Sequence, residues 1–176
     1  MSTTTPDKFT AFIPPELDGE VVVFLTGMRI NKWWRPSHWL PVFMAMGGML
    51  SELRASPELG LLGHHAWFGQ TMIVLQYWRS HQHLEDYARA KQRRHMPAWV
   101  RFMKRVGVGG DVGIWHETYL VRPGNYETVY VNMPAFGLAA ATEPVAITRR
   151  TDSATARIDA GRASARQSEK HEADAA

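Results

Sequence analysis

Cysteine is absent from this 176-residue sequence, which excludes disulfide bonds, thiol nucleophiles and thiolate metal sites. A chain without cysteine suits a reducing compartment, so we expect the protein to act in the cytoplasm. The first residues lack the basic start and apolar core of a signal peptide. Long apolar runs are also missing, because the longest one, residues 39–50, contains Pro41 and two glycines. No membrane-spanning helix is therefore expected.

Strong net charge is missing as well, since the sequence carries only +3. One segment, residues 89–105, nevertheless holds seven basic residues and no acidic one. A solvated helix face explains this segment, and the alternatives are a site for an anionic ligand or a nucleic-acid surface. Because no nucleic-acid-binding motif accompanies the charges, we expect neither nucleic acid nor a membrane as a partner.

Hydrophobic periodicity predicts an α+β fold. Apolar, β-branched or alternating stretches predict strands at 20–30, 61–70, 71–78, 112–121 and 126–133, the last two joined as a hairpin by the turn at 122–125. Steps of three and four residues predict a helix around 42–53, and Ser80 is a suitable N-cap for a helix over 81–92. A second helical piece follows Pro97. The order β-α-β-β-α-β plus one strand is the ferredoxin-like arrangement.

Composition divides the chain into three parts. Residues 1–19 are polar and contain proline, and they predict an arm; residues 20–147 predict the ferredoxin-like domain. Residues 148–176 are rich in Ala, Ser, Arg, Asp and Glu, and the stretch from 151 has no aromatic residue. Such a segment buries too little apolar area to offset its ordering entropy, so it predicts a disordered tail or a transient helix.

The predicted strands carry large apolar side chains on both faces. In residues 112–121, Ile114 and Leu120 alternate with Trp115 and Tyr119. Helices of a ferredoxin-like domain cover only one face of the sheet, so the other face needs a partner. A second copy of the chain, packed sheet to sheet, is the simplest partner, and we expect a homodimer.

The segment 77–102 carries a family resemblance. It combines the strand end YWRS at 77–80, Leu84 in the next helix, and His95 followed by Trp99 and Phe102. This pattern resembles the antibiotic-biosynthesis-monooxygenase-like family, and residues 132–138 (NMPAFGL) are similar to its subgroup around the fumagillin-pathway monooxygenase. The resemblance implies a dimeric α+β barrel with a pocket between sheet and helices.

The resemblance implies, as the leading function, a monooxygenase that oxidises a small hydrophobic molecule. Cofactor-free members of the family use tryptophan among other residues for positioning, and Trp78 matches the tryptophan at the strand end. The alternatives are a haem-binding lyase resembling aldoxime dehydratase, with His95 or His83 on the iron, and a non-catalytic ligand-binding barrel. The cofactor expected is therefore either none or haem.

His95, Trp78 and His83 are the candidate catalytic residues. His95, beside Pro97, would act as general base or axial ligand, or else hydrogen-bonds the backbone at a helix end. Trp78 lies on the same strand face as Gln76, so both are expected to point into the pocket unless Trp78 is an ordinary core residue. The remaining candidates for substrate binding are apolar: Met46, Trp99 and Phe102. No two nearby histidines have the spacing of metal ligands, so no metal site is predicted.

Overall fold

The computed structural model describes residues 6–17, 19–90, 100, 102, 104 and 109–175. The chain forms two compact units, one made of Met1–Val22 with Leu120–Ala176 and the other of Val23–Tyr119, where composition predicted one domain over 20–147. Within the described residues, no helix combines the length and the apolar character needed to cross a membrane.

Seven strands and four α-helices make up the described parts of the two units. The strands are β1 (Lys8–Phe12), β2 (Val21–Ile30), β3 (Leu61–Trp67), β4 (Thr71–Trp78), β5 (Val112–Val121), β6 (Tyr130–Val131) and β7 (Glu143–Ala146). The helices are α1 (Pro36–Ala55), α2 (His81–Arg89), α3 (Leu138–Ala141) and α4 (Ala154–Ala175). Short 3₁₀ turns lie at Pro15–Leu17 and Pro57–Leu59.

A four-stranded sheet with the order β3-β4-β2-β5 organises the Val23–Tyr119 unit. Counted from β2, this order is 2-3-1-4, which is the strand order of the ferredoxin-like arrangement. The α+β, ferredoxin-like prediction is confirmed. The sheet of one chain is open, so the barrel implied by the family resemblance would require a second copy.

Local sequence signals set the ends of the elements next to the site. Pro36 occupies the first turn of α1, where its missing N–H costs no hydrogen bond. Ser80 caps α2 by accepting a hydrogen bond from the backbone N–H of His83 at 3.3 Å, as predicted. The hairpin of β3 and β4 turns at residues 68–70, which include Gly69. Helix α2 ends at Arg89, a few residues before the predicted position.

The other unit contains a three-stranded sheet with the order β6-β1-β7, whose central strand lies in the predicted arm. Phe9 of β1 is fully buried and stacks on Tyr130 of β6 with the ring centroids 4.9 Å apart. Helix α3 adds Leu138 and Ala139 to the buried residues of this unit. Burial of these apolar groups explains why residues predicted as an arm form a strand.

The predicted hairpin of residues 112–121 and 126–133 is wrong. The chain does turn at Gly124, which has a φ of +82°, and the backbone N–H of Asn125 donates to the carbonyl of Arg122. The residues after this turn, however, hydrogen-bond to β1: the side chain of Thr128 accepts from the backbone N–H of Ala11 at 2.8 Å. In β6, Tyr130 then pairs with Phe9 of β1.

Helix α4 occupies the segment that was predicted to be disordered or transiently helical. Its Arg157 is 9% exposed and forms an ion pair with Glu127, and it also donates to the backbone carbonyls of Thr151 and Asp152. At Gly161 the helix packs so closely that an added Cβ would lie 2.5 Å from the backbone nitrogen of Gly124. Composition did not indicate this packing, because it depends on one partly buried arginine and one glycine.

Candidate functional site

A cavity of about 600 Å³ lies between the sheet and the helices of the Val23–Tyr119 unit. Side chains alternate along a strand, and the even-numbered residues of β2, β4 and β5 face the cavity, among them Met28, Met72 and Ile114. Helix α1 covers these residues with one stripe of apolar side chains. Five methionines line the cavity, namely Met28, Met44, Met46, Met49 and Met72. Such unbranched, polarisable side chains adapt to irregular ligands.

Gln76 and Trp78 form a buried polar pair in the cavity wall. The indole N–H of Trp78 donates to the side-chain oxygen of Gln76 at 2.8 Å, and the two residues are 1% and 5% exposed. The amide nitrogen of Gln76 makes no hydrogen bond with the described part of the chain, so it is the group that remains for a ligand. Both residues line the cavity, in agreement with the shared strand face predicted from the sequence.

Tyr87 of α2 extends the aromatic wall beside this pair. Its ring centroid lies 5.8 Å from that of Trp78, and its hydroxyl group donates to Oε2 of Glu52 at 2.9 Å. Since Glu52 belongs to α1, this hydrogen bond connects the two helices that cover the sheet. It also fixes the orientation of the tyrosine ring against the cavity.

The carboxylate of Asp111 is almost completely buried, with its side chain 2% exposed, and it is surrounded by basic groups. Three cationic or potentially cationic groups contact it: Lys32 Nζ at 2.5 Å, Arg35 Nη1 at 3.0 Å and His38 Nδ1 at 2.6 Å. These contacts hold the pKa of Asp111 at about 2, well below its ordinary value. The hydrogen bond from Lys32 is the largest cause of the lowered pKa, and burial opposes it. His38 itself lines the cavity.

The lowered pKa of Asp111 predicts a stability difference that depends on pH. A carboxyl group with a depressed pKa stabilises the folded state above its unfolded pKa of about 3.9, and this contribution disappears as the pH falls towards about 2. We therefore expect Asp111→Asn to lower the free energy of unfolding at neutral pH, and the gap to wild type to close between about pH 4 and pH 2. Urea denaturation of both proteins across this range measures the gap; a gap that stays constant contradicts the assignment.

The structure brings together four of the seven candidate residues. Gln76, Trp78, Met46 and Phe102 all line the cavity. His83 lies instead at the start of α2, where its Nδ1 is 2.8 Å from the hydroxyl oxygen of Ser80. An added Cβ at Gly60 would lie 2.5 Å from the His83 ring, so this imidazole packs against backbone and not against the cavity. The two other candidates, His95 and Trp99, lie outside the described residues.

Two histidines that sequence reasoning did not select do line the cavity, His38 and His116. His116 alternates with Ile114 along β5, and its ring lies 5.7 Å from that of Phe24. Strand periodicity gives the face of His116 but not the presence of a cavity on that face. In the described residues no cluster of three or more histidine, aspartate or glutamate side chains is arranged to hold a metal ion.

An open ferredoxin-like sheet, covered by helices that enclose an apolar cavity, defines a class of α+β protein to which many ligand-binding and catalytic proteins belong. Within this class the chain belongs to the Monooxygenase af470-like family, whose sequence model matches residues 21–138. Monooxygenase af470 of Aspergillus fumigatus is 30% identical over 129 residues, which are 65% of this chain and 43% of the fungal protein. The chain therefore spans less than half the length of this relative.

Solved structures of aldoxime dehydratases have a similar fold. One of them, crystallised with butyraldoxime, matches 84% of this chain and 43% of its own length with a TM-score of 0.62 and 14% sequence identity. A second aldoxime dehydratase matches 92% of this chain and 46% of its own with a TM-score of 0.56 and 19% identity. Identities this low support a shared fold and do not carry an activity from one protein to the other.

Proposed function

We propose that the protein is a monooxygenase that oxidises a small hydrophobic organic molecule inside the cavity of the Val23–Tyr119 unit. The observation that carries this proposal is the cavity itself, because its volume of about 600 Å³ lies within the range of small-molecule sites. Its mainly apolar lining favours a hydrophobic substrate. Membership of a monooxygenase family supplies the reaction class.

Each part of the cavity wall has a role in this proposal. The aromatic rings of Trp78 and Tyr87 provide a flat surface against which an unsaturated substrate packs. The amide N–H groups of Gln76, which make no hydrogen bond with the described part of the chain, donate a hydrogen bond that orients an oxygen atom of the substrate. Met46 and Phe102 complete the apolar enclosure and adapt to its shape.

Filling the cavity tests the proposal. Ala45 lines the cavity from α1, and Ala45→Phe places a ring where the substrate would lie. We expect oxygen consumption with at least one compound from a panel of phenols and terpenoids, and a decrease of about tenfold or more in the variant, equivalent to about 1.4 kcal/mol of binding. Ser51→Phe adds the same bulk to an exposed position of α1 and serves as the control.

The outcomes of this experiment separate the alternatives. Binding of a compound such as 1-naphthol to wild type, blocked by Ala45→Phe but never accompanied by oxygen consumption, favours a non-catalytic ligand-binding protein. Equal oxygen consumption by wild type and Ala45→Phe contradicts the placement of the reaction in this cavity. Both results can be interpreted only if the two variants are as stable as wild type, that is, if they unfold at the same urea concentration.

A haem-dependent lyase similar to aldoxime dehydratase is a less favoured alternative. Of the two histidines predicted as axial ligands, His83 is bonded to Ser80 and does not line the cavity. His95 lies outside the described residues. A visible spectrum of the protein with added haem tests this alternative, since an axial histidine gives a sharp Soret band.

We also propose that the active form is a homodimer. The odd-numbered residues of the sheet face away from the cavity, and Leu25, Leu75 and Trp115 are partly exposed there. A second copy packed on this face would bury these apolar groups. Light scattering is expected to give twice the monomer mass of 19.9 kDa. Leu75→Lys is expected to shift the protein to monomer; a monomeric wild type contradicts the proposal.

A further inference from the structure

His38 is held in one orientation by a buried carboxylate. Its Nδ1 lies 2.6 Å from Oδ2 of Asp111. The loop that carries Asp111 is fixed in turn, because the backbone N–H groups of Asn31 and Lys32 donate to the Asp111 carbonyl at 3.0 and 3.2 Å. Helix α1 begins two residues before His38, so both partners are positioned by ordered backbone. Such a supported carboxylate–imidazole pair fixes the ring and its tautomer.

The protonation states of the pair follow from its contacts. Asp111 has a pKa of about 2 and is therefore an ionised group that can only accept hydrogen bonds at neutral pH. The proton in the short contact therefore belongs to Nδ1 of His38, which leaves a lone pair on Nε2 when the imidazole is neutral. Nε2 makes no hydrogen bond with the part of the chain that the structure describes, and the residue lines the cavity.

Other polar side chains of the cavity do not combine these properties. His116 has an imidazole but contacts Phe24, with no carboxylate bonded to it among the described residues. Gln76 has no basic group, and the Tyr87 hydroxyl donates to Glu52. His38 is thus the one described cavity residue with a basic atom and a carboxylate that orients it.

We propose that Nε2 of His38 is the proton acceptor of the cavity, that Asp111 is its positioning residue, and that the substrate carries an acidic hydroxyl group, as a phenol or an enol does. In this step the O–H bond breaks, the proton binds to Nε2, and the electron pair stays on the substrate oxygen. The charge of Asp111 stabilises the imidazolium that forms. The resulting anion is electron-rich, which suits the proposed oxygenation. What happens to the anion afterwards rests on the proposed function, whereas the proton transfer itself does not.

Lys32 and Arg35 influence the same step, because both are bonded to Asp111. Their positive charges compete with the imidazolium for the carboxylate and also attract the substrate anion. Lys32 lies in the loop before α1, and Arg35 is the residue that precedes the helix. The proposal therefore predicts that an imidazolium at His38 shares the Asp111 carboxylate with two permanently charged side chains.

4-Nitrophenol is a suitable probe, because its ionised form has a visible absorption that its neutral form lacks. Its methyl ether, 4-nitroanisole, has nearly the same shape but no proton to give, and it reports binding alone. At a pH where the free phenol is mostly neutral, wild type is expected to bind both compounds and to convert bound 4-nitrophenol to phenolate. The measurement uses the full chain and does not depend on turnover.

His38→Gln is expected to lower the phenolate fraction of the bound probe by about tenfold or more, corresponding to one pKa unit, with the affinity for 4-nitroanisole unchanged. Asp111→Asn removes the charge that stabilises the imidazolium, and a smaller decrease in phenolate is expected, again with intact ether binding. A merely structural role of Asp111 would instead weaken the binding of both probes equally.

Several results would overturn the inference. Wild type that binds 4-nitrophenol only in its neutral form has no proton acceptor in the cavity. Loss of phenolate in His116→Gln together with its retention in His38→Gln would show that His116, and not His38, is the proton acceptor. Absence of binding of either probe contradicts both this inference and the proposed cavity function. Formation of phenolate without any oxygen consumption supports the proton acceptor and contradicts only the oxygenase proposal.

Discussion

Gly27→Ala is expected to destabilise the protein by about 3 kcal/mol or more, although it adds a single methyl group. Gly27 lies in β2, the strand between β4 and β5. A Cβ at this position would be 1.9 Å from the carbonyl oxygen of Met72 and 3.0 Å from the indole nitrogen of Trp115. The first contact is with the backbone of a neighbouring strand, so the methyl group is accommodated only if the strands separate. Separation breaks hydrogen bonds at the centre of the sheet.

Gly47→Ala is the matched control and is expected to change stability in the opposite direction. Gly47 lies inside α1, and among the described residues no atom outside the helix is within 4 Å of the position its Cβ would occupy. Alanine is favoured over glycine in a helix by about 1 kcal/mol, so the variant is expected to gain about this amount. Urea denaturation followed by circular dichroism measures both variants. A Gly27→Ala protein within about 1 kcal/mol of wild type contradicts the packing described for β2.

The contrast between these two glycines illustrates what the sequence can predict. Gly47 lies in a helical pattern, and the part of the chain that the structure describes leaves its surroundings open. Gly27 lies in a run of apolar strand residues and gives no signal of its close contact with Met72. Periodicity identifies the strand because it depends on neighbours in sequence, whereas the distance to another strand depends on register and local twist.

The same distinction applies to whole elements. The strand at Val112–Val121 and the cap of α2 at Ser80 were predictable, because alternation and capping are local signals. The sheet β6-β1-β7 was not predictable, since β6 contains two residues and its partner lies near the other end of the chain. Pairing of Lys8 with Val131 depends on the tertiary fold and leaves no periodic pattern in either segment.

The candidate site follows this rule as well. Gln76 and Trp78 are two positions apart on one strand, so their shared direction was predictable from the pleat. His38 and Asp111 are 73 positions apart, and each looks ordinary in its local context, one in a polar helix start and the other after a glycine turn. Only the fold brings the imidazole and the carboxylate together.

Trp78→Ala is expected to lower the free energy of unfolding by about 3 to 5 kcal/mol, the second large effect that the structure predicts. The side chain is 1% exposed and packs against Tyr87, so its removal leaves a void beside the cavity. Trp78→Phe keeps a ring but removes the indole N–H, which leaves the oxygen of Gln76 buried without its donor. This smaller change is expected to cost about 1 to 3 kcal/mol.

A double variant separates the structural role of this pair from its role in binding. Replacing both partners by apolar groups removes the unsatisfied oxygen, so Trp78→Phe with Gln76→Leu is expected to regain about 1 kcal/mol over Trp78→Phe alone. If Gln76 donates to the substrate, this stabilised double variant remains impaired in binding 1-naphthol, and stability and affinity move in opposite directions. Recovery of both stability and affinity for 1-naphthol would mean that Trp78 and Gln76 only stabilise the core. Another group of the cavity would then have to donate the hydrogen bond that orients the substrate.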